Sequence, residues 1–465
     1  MAQYSRKGYT ITPCLNARRR SGARRERFAL RRVPEVAASP GEWRNEPARL
    51  PVEHDAGRAC GLPGSLASST SLLAGQKDSS AVRRASLDET PPKGRELDRH
   101  RFGVNYTPSK NWWFCWNEWD ADPIKRDLDA IAALGADHLR ILLIWPYFQP
   151  NPKWISPVHL ERLDQPLTLM GERNLDAVVT VFTGQLSGWY FLPSFNKTGT
   201  DFYSDETMWA TQELFIRQLA RVMQPKSNII GFDVGNEINT CWSTEPRVGD
   251  AWMKKMLSLM GSLCPDGLHV NGVDEVPWFE ANTFSPQALA SAPMPVIHCY
   301  PYWSGALKYG GPMDPPSTKL LAAMAALVRA YAGDPRKPVW AEEFNTCIEA
   351  LNEKQQAEWL EKAVLEAIDS GVGWFSYWDS HDVDRKFEFN SLEYSLGLLT
   401  NDGRVKEQGR VFKRLAEAYR GKTVMFPTHP LPPPPVNRSQ EVSWRWMLDW
   451  MGWKAVGAEK GVSVP

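Results

Sequence analysis

The 465-residue sequence lacks several features that would assign it to a common functional class. Its 54 basic and 54 acidic residues leave a formal net charge of zero, which argues against binding nucleic acid or a membrane surface through overall charge. No run of about 18 apolar residues is present, so no transmembrane helix is predicted. Neither a GxGxxG motif after the first predicted strand nor a Walker-type phosphate loop occurs, which argues against the nucleotide-binding folds that use them.

Cysteine is sparse and poorly arranged for a structural role. The seven cysteines are an odd number, are scattered from position 14 to position 347, and form no CxxC pair. This pattern predicts neither a zinc framework nor a dense disulfide scaffold. Tryptophan, by contrast, is abundant, with 21 residues in the chain, and indole rings stack well on flat apolar faces.

The first 100 residues differ from the rest of the chain. They have a net charge of +8, contain one tryptophan and show no sustained apolar periodicity, which is typical of a disordered segment. We interpret residues 1–100 as a disordered basic extension, with a nucleic-acid-binding arm or an incorrectly assigned start as alternatives. Arg24-Arg25 resembles a twin-arginine export signal only faintly, because no apolar stretch follows it. No secretory signal is evident as written, so the compartment stays open, and extracellular action is expected if the true N-terminus differs.

The last 45 residues, 421–465, also differ in composition. Six prolines between Pro427 and Pro435 predict a stiff, extended linker. From Trp444 to Trp453, tryptophan and methionine then recur at spacings that predict one short amphipathic helix. This tail is too short to be a folded binding module, so it either docks on the central domain or stays loose.

Between residues 101 and 420, short apolar runs alternate with amphipathic helical patterns. Eight such units predict a (β/α)8 (TIM) barrel rather than an open doubly wound sheet. The predicted strands are 102–106, 138–144, 177–182, 229–234, 268–271, 296–300, 339–343 and 373–378. The predicted helices are 123–134, 157–173, 205–223, 245–263, 317–332, 353–370 and 405–419, with a weak fifth link near 285–290.

In a TIM barrel, chemistry takes place where the strands end and the following loops begin. Polar and aromatic residues lie at several predicted strand ends, namely Arg140, Asn236, Glu237, His298, Tyr300, Glu342, Glu343 and Trp378. The fourth and seventh strands lie nearly opposite each other, so Glu237 and Glu343 are expected to face each other across the barrel mouth. Retaining glycoside hydrolysis needs such a pair of carboxyl groups, one as acid/base and one as nucleophile.

These residues, in this strand order, resemble glycoside hydrolase family 5 over roughly residues 102–420. The matching positions are Arg140, Asn236-Glu237, His298-x-Tyr300, Glu343-Phe344, Trp378 and the stretch from Gly397 to Lys406. Two positions depart: Asn345 replaces the usual Gly, and Thr183-Gly184 ends the third strand where the family usually has His. The resemblance implies that Glu237 is the acid/base, that Glu343 is the nucleophile, and that no metal or organic cofactor is required.

Side-chain alternation favours Glu343 over Glu342 as the nucleophile, independently of the resemblance. If Glu343 points into the barrel, Trp340 points outward to the helices; if Glu342 points in, Trp340 must fit inside, where branched side chains of medium size dominate. We therefore predict that Trp340 packs outside the barrel and that Glu342 is a supporting carboxylate. Arg140 is expected to hold down the pKa of Glu343, and Tyr300 to hydrogen-bond it.

Substrate contacts are predicted from the aromatic and polar residues, because sugar rings stack on aromatic faces and their hydroxyls need partners. Trp378 is expected to form the floor of the subsite that holds the sugar whose anomeric carbon is attacked (the −1 subsite). Trp112 and Trp303 are expected to line outer subsites. Asn236 is expected to bind the 2-hydroxyl, and His298 either to contact the sugar or to support a catalytic residue. Arg140 and Tyr300, beside the nucleophile, are also expected among the substrate-binding residues.

The sequence thus predicts a monomeric retaining β-glycosidase that acts on a β-glucan or β-mannan type polysaccharide or oligosaccharide. Endo and exo action stay open. A carbohydrate-binding pseudoenzyme and a metal-dependent sugar isomerase on the same barrel are the alternatives. His381, Asp382 and Asp384, after the eighth strand, lack a convincing set of metal ligands and predict a polar loop.

Overall fold

The computed structural model describes residues 96–196, 201–346, 350–388 and 391–454. The predicted disordered extension lies outside the described residues except for 96–100. In that short stretch Arg99 forms a β-bridge with Thr423, which joins a residue before 101 to one after 420. Among the described helices, none combines the length and apolar character needed to cross a membrane.

The described part of the chain forms nine strands. Seven of them make one parallel sheet: β1 (Arg101–Tyr106), β2 (His138–Ile144), β3 (Asp176–Thr183), β6 (Ile229–Asp233), β7 (Val296–Cys299), β8 (Trp340–Phe344) and β9 (Trp374–Tyr377). The other two form an antiparallel hairpin after β3: β4 (Gln185–Leu186) and β5 (Trp189–Tyr190). The two-residue turn of this hairpin, Ser187-Gly188, has positive φ at both positions, as a type I′ turn requires.

The sheet order β6-β3-β2-β1-β9-β8-β7 makes the first and last barrel strands neighbours. The predicted fifth strand, 268–271, is too irregular to extend the sheet fully. It forms a parallel bridge from Val270 to Asp233, and Leu268 donates a backbone hydrogen bond to Ile230 at 2.7 Å. This segment occupies the eighth position beside β6, and the architecture is the predicted TIM barrel.

Amphipathic helices follow the strands and bury one face against the sheet. The α-helices are α1 (Ala121–Ala133), α2 (Trp145–Phe148), α3 (Pro157–Gly171), α4 (Glu206–Met223), α5 (Ile238–Cys241), α6 (Pro246–Leu263), α7 (Val276–Phe279), α8 (Pro286–Ala290), α9 (Pro315–Thr318), α10 (Leu320–Ala332), α11 (Glu353–Asp369), α12 (Glu407–Tyr419) and α13 (Gln440–Met451). Short 3₁₀ helices span Trp112–Trp116, Ala306–Lys308, Arg385–Phe387 and Ser391–Tyr394. Local sequence sets the boundaries: α11 begins at a capping box between Asn352 and Gln355.

Large rings fill the barrel interior below the mouth, which corrects one prediction. Most of the strands contribute side chains to one buried cluster, which consists of Val178, Ile230, Leu268, Val270, Met294, Val296, Trp340 and Trp374. Trp340 therefore lies inside the barrel, where its ring packs on His138 with centroids 5.4 Å apart. The prediction that Trp340 packs outside was wrong. Gly103 makes the room, because a Cβ there would come within 2.5 Å of the His138 ring.

A β-bulge in β8 explains how both glutamates of this strand face inward. Between two successive pairs of partners, β8 spans three residues, from Ala341 to Phe344, whereas β9 spans only two. Bulges re-aim side chains and are common beside active sites. Glu342 thus points into the barrel, as Trp340 does. The extra residue lets Glu343 project into the barrel mouth as well.

The tail helix α13 docks on the barrel, which settles the two alternatives for this segment. Trp444 is buried, donates to the Ser304 carbonyl at 2.7 Å and stacks on Tyr309 with centroids 5.0 Å apart. Ser443 donates to the Phe279 carbonyl at 2.6 Å. The helix therefore braces the loop after β7, which also carries Trp303 at the barrel mouth.

Candidate active site

A pocket of about 360 Å³ lies at the barrel mouth, a size in the lower part of the range for small-molecule sites. Six of the predicted site residues line it: Asn236, Glu237, Tyr300, Trp303, Glu343 and Trp378. Arg140 and His298 are fully buried and contact the two glutamates instead of lining the pocket. Trp112 does not line the pocket.

The two glutamates predicted to be catalytic lie close together. Glu237 and Glu343 have carboxylate oxygens within 4.8 Å of one another. Retaining glycosidases hold their carboxyl groups about 5–5.5 Å apart, and inverting ones about 6.5–9.5 Å apart. The backbone fixes Glu237 in a rare conformation, with φ of 47°, and its N–H donates to the Gly272 carbonyl at 2.7 Å. The geometry is that of a retaining enzyme.

Two donors hold the carboxylate of Glu343. The Arg140 guanidinium donates to Oε1, and the Tyr300 hydroxyl donates to Oε2 at 2.8 Å. Burial raises the pKa of Glu343, while the charges of His298 and Arg140 and the Tyr300 hydrogen bond lower it. The net direction is upward, so Arg140 opposes the effect of burial, as predicted, without overcoming it.

The raised pKa of Glu343 predicts the acid side of the pH profile. This carboxyl group must be ionised to attack a sugar, so kcat/KM is expected to rise with pH as Glu343 loses its proton. Because burial raises its pKa above the ordinary 4.5, the midpoint of that rise is expected above pH 4.5. Initial rates from pH 3 to 8 at low substrate concentration measure this, and a midpoint at or below 4.5 contradicts it.

Arg140, which was predicted to bind substrate, is buried behind the pocket and positions other residues. It is fully buried, lies 2.7 Å from Asp233 and 3.4 Å from Glu342, and donates to the Asn236 side chain at 3.1 Å. Burial lowers its pKa, but the charges of Glu342, Asp233 and Glu343 outweigh burial and raise the pKa above that of a free arginine. Arg140 therefore fixes Glu343 and Asn236 from behind the pocket.

Removing Arg140 is expected to destabilise the fold. Arg140→Met leaves several buried carboxylates without their cation, so the free energy of unfolding should fall by about 3–5 kcal/mol. Arg217→Met is the matched control, because Arg217 pairs with Glu213 on the surface at 2.6 Å, and such pairs contribute about 1 kcal/mol or less. Denaturant titration of both variants checks this, and equal losses would contradict it.

His298 supports the acid/base candidate. It is fully buried; its Nδ1 lies 2.8 Å from Glu237 and its Nε2 lies 3.3 Å from Glu342. Burial lowers the pKa of His298, but the charge of Glu343 and the hydrogen bonds to Glu237 and Glu342 outweigh burial and raise it well above the ordinary value. Of its two predicted roles, these contacts and its burial favour support of a catalytic residue over contact with the sugar.

Gln185 is a second partner of Glu237. Its side-chain amide, oriented to satisfy both of its neighbours, donates to Glu237 at 3.2 Å and accepts from the Gly188 N–H at 2.8 Å. Gln185 lies in the hairpin directly after β3, near the strand end where the expected histidine is missing. Where the family usually has a histidine, this chain has Thr183-Gly184, and the nearby Gln185 contacts the acid/base candidate Glu237.

Two of the three tryptophans predicted to contact substrate, Trp303 and Trp378, line the pocket, and the third, Trp112, is a packing residue. Trp112 is 1% exposed and packs on Phe387, with ring centroids 5.5 Å apart. The structure therefore places Trp112 among the packing residues, outside the pocket where it was predicted to bind substrate. Trp303 is 57% exposed at the pocket rim, and Trp378 lies in the pocket wall, where Asn345 donates to its backbone carbonyl. The peptide that follows Trp378 is cis.

Some acidic and histidine side chains of the site lie close enough together to bind a metal ion. Within the described ranges, one group of three could supply ligands, namely Glu237, His298 and Glu343. Each of the three already has a hydrogen-bonding partner in the site, so a metal would displace contacts that hold the carboxylates. Asp382, from the polar loop after β9, instead pairs with Lys406 at 2.7 Å.

Sequence reasoning missed several residues that line the pocket: Gln185, Asp274, Glu275, Tyr302 and Glu393. Burial raises the pKa of Asp274 and of Glu393 to about 7 each. Asp274 and Glu275 follow the irregular fifth strand, so the strand-end rule could have found them. Glu393 follows no motif and lies in a loop well beyond β9.

Comparison with solved structures gives strong matches. The chain is 31% identical to GH5_18 from Streptomyces cattleya in complex with GlcNAc, over 76% of this chain and 90% of that one, with a TM-score of 0.69. A GH5_18 variant from Bifidobacterium longum subsp. longum in complex with Manβ1-4GlcNAc is also 31% identical, over 76% and 89%, with a TM-score of 0.68. The exo-β-1,4-mannosidase Op5Man5 from Opitutaceae bacterium strain TAV5 is 25% identical, over 76% and 67%, with a TM-score of 0.67. No protein-family model and no curated protein sequence matches the chain.

Proposed function

Because the chain belongs to glycoside hydrolase family 5 and is a retaining O-glycosyl hydrolase, we propose that it is an exo-acting β-mannosidase. Its proposed substrate is a short oligosaccharide with a terminal β-linked mannose, of the Manβ1-4GlcNAc type. The observation that carries the catalytic part of this proposal is the close pair of carboxylates, Glu237 and Glu343, in one small pocket.

In the first step, Glu343 acts as the nucleophile. Its carboxylate attacks the anomeric carbon while Glu237, starting protonated, gives its proton to the glycosidic oxygen. The bond between the anomeric carbon and that oxygen breaks, the remaining sugar leaves as an alcohol, and an ester forms between mannose and Glu343. Arg140 and Tyr300 hold the attacking carboxylate in place through their hydrogen bonds.

In the second step, Glu237 acts as the base. It takes a proton from a water molecule, the water oxygen attacks the anomeric carbon, and the ester bond to Glu343 breaks. Two inversions give net retention. Asn236 is held by Arg140 and by the Gln185 carbonyl at 3.0 Å, which leaves one amide hydrogen for the 2-hydroxyl of the sugar.

Two observations support the finer specificity. The pocket is small and is bounded by the β4–β5 hairpin on one side and by the 3₁₀ helix Ser391–Tyr394 on another, which suits a short ligand rather than a long polymer. Similar structures hold Manβ1-4GlcNAc or carry the name of an exo-mannosidase. Stacking of the sugar on Trp378 and Trp303 would complete the site.

A substrate panel tests the proposal. Rates are compared on p-nitrophenyl β-mannoside, p-nitrophenyl β-glucoside, Manβ1-4GlcNAc, mannan and barley β-glucan, with and without EDTA. The mannoside and the disaccharide are expected to react fastest, with free mannose as the product and no effect of EDTA. Faster reaction of the glucoside, or cleavage within mannan, contradicts the mannosidase or the exo assignment respectively, and loss of activity with EDTA contradicts the metal-free mechanism.

A further inference from the structure

Glu393 is a buried pocket carboxylate that the two-step mechanism does not use. It lies in the 3₁₀ helix Ser391–Tyr394, its side chain is 4% exposed, and it lines the same pocket as Glu343 and Trp378. Its backbone is fixed, because its carbonyl accepts from the Val383 N–H at 3.0 Å. A carboxyl side chain is thus held at the wall of the site.

One carboxyl oxygen of Glu393 lacks a hydrogen-bond partner among the described residues. Within the described part of the chain, Oε2 is buried and has no hydrogen-bond donor. Buried polar atoms without a partner are rare and unfavourable, and one on a residue that lines a ligand pocket is explained when the ligand supplies the missing partner. A carboxylate oxygen accepts hydrogen bonds, and sugar hydroxyls donate them.

The surroundings place Glu393 on the nucleophile side of the pocket. Burial raises the pKa of Glu393, side-chain hydrogen bonds with Ser187 and Trp378 lower it, and the charge of Glu343 raises it further. The other two unassigned pocket carboxylates lie on the acid/base side, where the charge of Glu237 acts on both Asp274 and Glu275. The sugar attacked by Glu343 is therefore the one within reach of Glu393.

We propose that Glu393 determines specificity by accepting a hydrogen bond, through Oε2, from a free hydroxyl of the sugar in the −1 subsite. The inference rests on the proposed function, since it assumes that a glycone is bound and cleaved in this pocket. The hydroxyl is the 3-, 4- or 6-hydroxyl, because the 2-hydroxyl is assigned to Asn236 and the anomeric oxygen faces Glu237. An oxygen that already carries a further sugar has no proton to donate, so this contact also selects for a free position.

The test couples a substrate change to a variant. The kcat/KM of wild-type enzyme, Glu393→Ala and Glu393→Gln is measured on p-nitrophenyl glycosides and on their 3-, 4- and 6-deoxy forms. Both the β-mannoside and the β-glucoside series are used, so a preference for glucose would overturn the mannosidase assignment while the Glu393 test proceeds on the better series. Glu275→Gln, a carboxylate-to-amide change on the acid/base side, is the matched control.

One deoxy substrate is expected to react about 10- to 100-fold more slowly than its parent with wild-type enzyme, the scale for losing a hydrogen bond to a charged group. In Glu393→Ala that ratio should fall to near one, and in Glu393→Gln it should lie between the two. Glu275→Gln should keep the wild-type ratio. If Glu393→Ala does not fold, as judged by its thermal unfolding, Glu393→Gln carries the test. Deoxy ratios that are the same in the Glu393 variants and the wild type would overturn the proposal and leave Glu393 a structural residue.

Discussion

Glu343→Gln is expected to lower kcat on p-nitrophenyl β-mannoside by about 10⁴-fold or more, the scale seen when a covalent nucleophile is removed. The amide keeps the shape of the carboxylate but carries no charge and cannot form the glycosyl ester. Because Gln can still bond to Tyr300 through its oxygen, the fold should be retained, and circular dichroism should show this. Initial rates with a sensitive fluorogenic glycoside measure the loss.

The matched control for this variant is Glu342→Gln, on the same strand. Glu342 is fully buried against Arg140 and His298 but does not line the pocket. This variant should lose stability and some activity, yet still form a covalent intermediate. If Glu342→Gln abolished turnover while Glu343→Gln retained it, the assignment of the nucleophile would be reversed.

Glu237→Ala is expected to show the second largest effect, and a selective one. Loss of a general acid and base costs about 10²–10⁴-fold, so turnover of Manβ1-4GlcNAc should fall by at least that factor. A 2,4-dinitrophenyl glycoside needs little protonation, so its first bond should still break quickly and the ester on Glu343 should accumulate. Stopped-flow measurement of dinitrophenol release should then show a burst.

Restoration of turnover by azide is the most specific test of this prediction. Azide attacks without needing a base, and the space left by the Glu237 side chain can admit it, so it should restore turnover and yield a β-mannosyl azide. Asp274→Asn is the matched control, a pocket acid beside Glu237 whose replacement leaves the acid/base in place and should show no azide effect. Azide rescue in Asp274→Asn but not in Glu237→Ala would move the acid/base role to Asp274.

The barrel was largely predictable because its signals are local. Strand β2 begins and ends at the predicted residues, and the helices differ from prediction by a few residues at their ends, since apolar periodicity and capping act over short distances. The fifth strand was predicted at 268–271, where the chain forms a single bridge, Asp233 to Val270, and the weak link predicted near 285–290 forms the short helix α8.

The predictions that the structure did not match concern residues whose positions depend on three-dimensional context. Strict alternation along β8 excluded Trp340 from the interior, but the bulge breaks the alternation and Gly103 provides the space, and neither effect is visible in a single strand. Trp112 and Trp303 both follow strands, yet only Trp303 reaches the pocket, because loop packing decides which ring is covered. Glu393 comes from a distant loop that no motif marks.

The central claim is that Glu343 carries the sugar during the reaction, and covalent trapping tests it most directly. The enzyme is incubated with 2,4-dinitrophenyl 2-deoxy-2-fluoro-β-mannoside, which forms the ester but releases it slowly, and is then digested for peptide mass spectrometry. The account predicts one 2-fluoromannosyl group per chain, located on Glu343, and protection by added substrate. A label on Glu342 or any other residue, or an active enzyme that takes up no label, would contradict it.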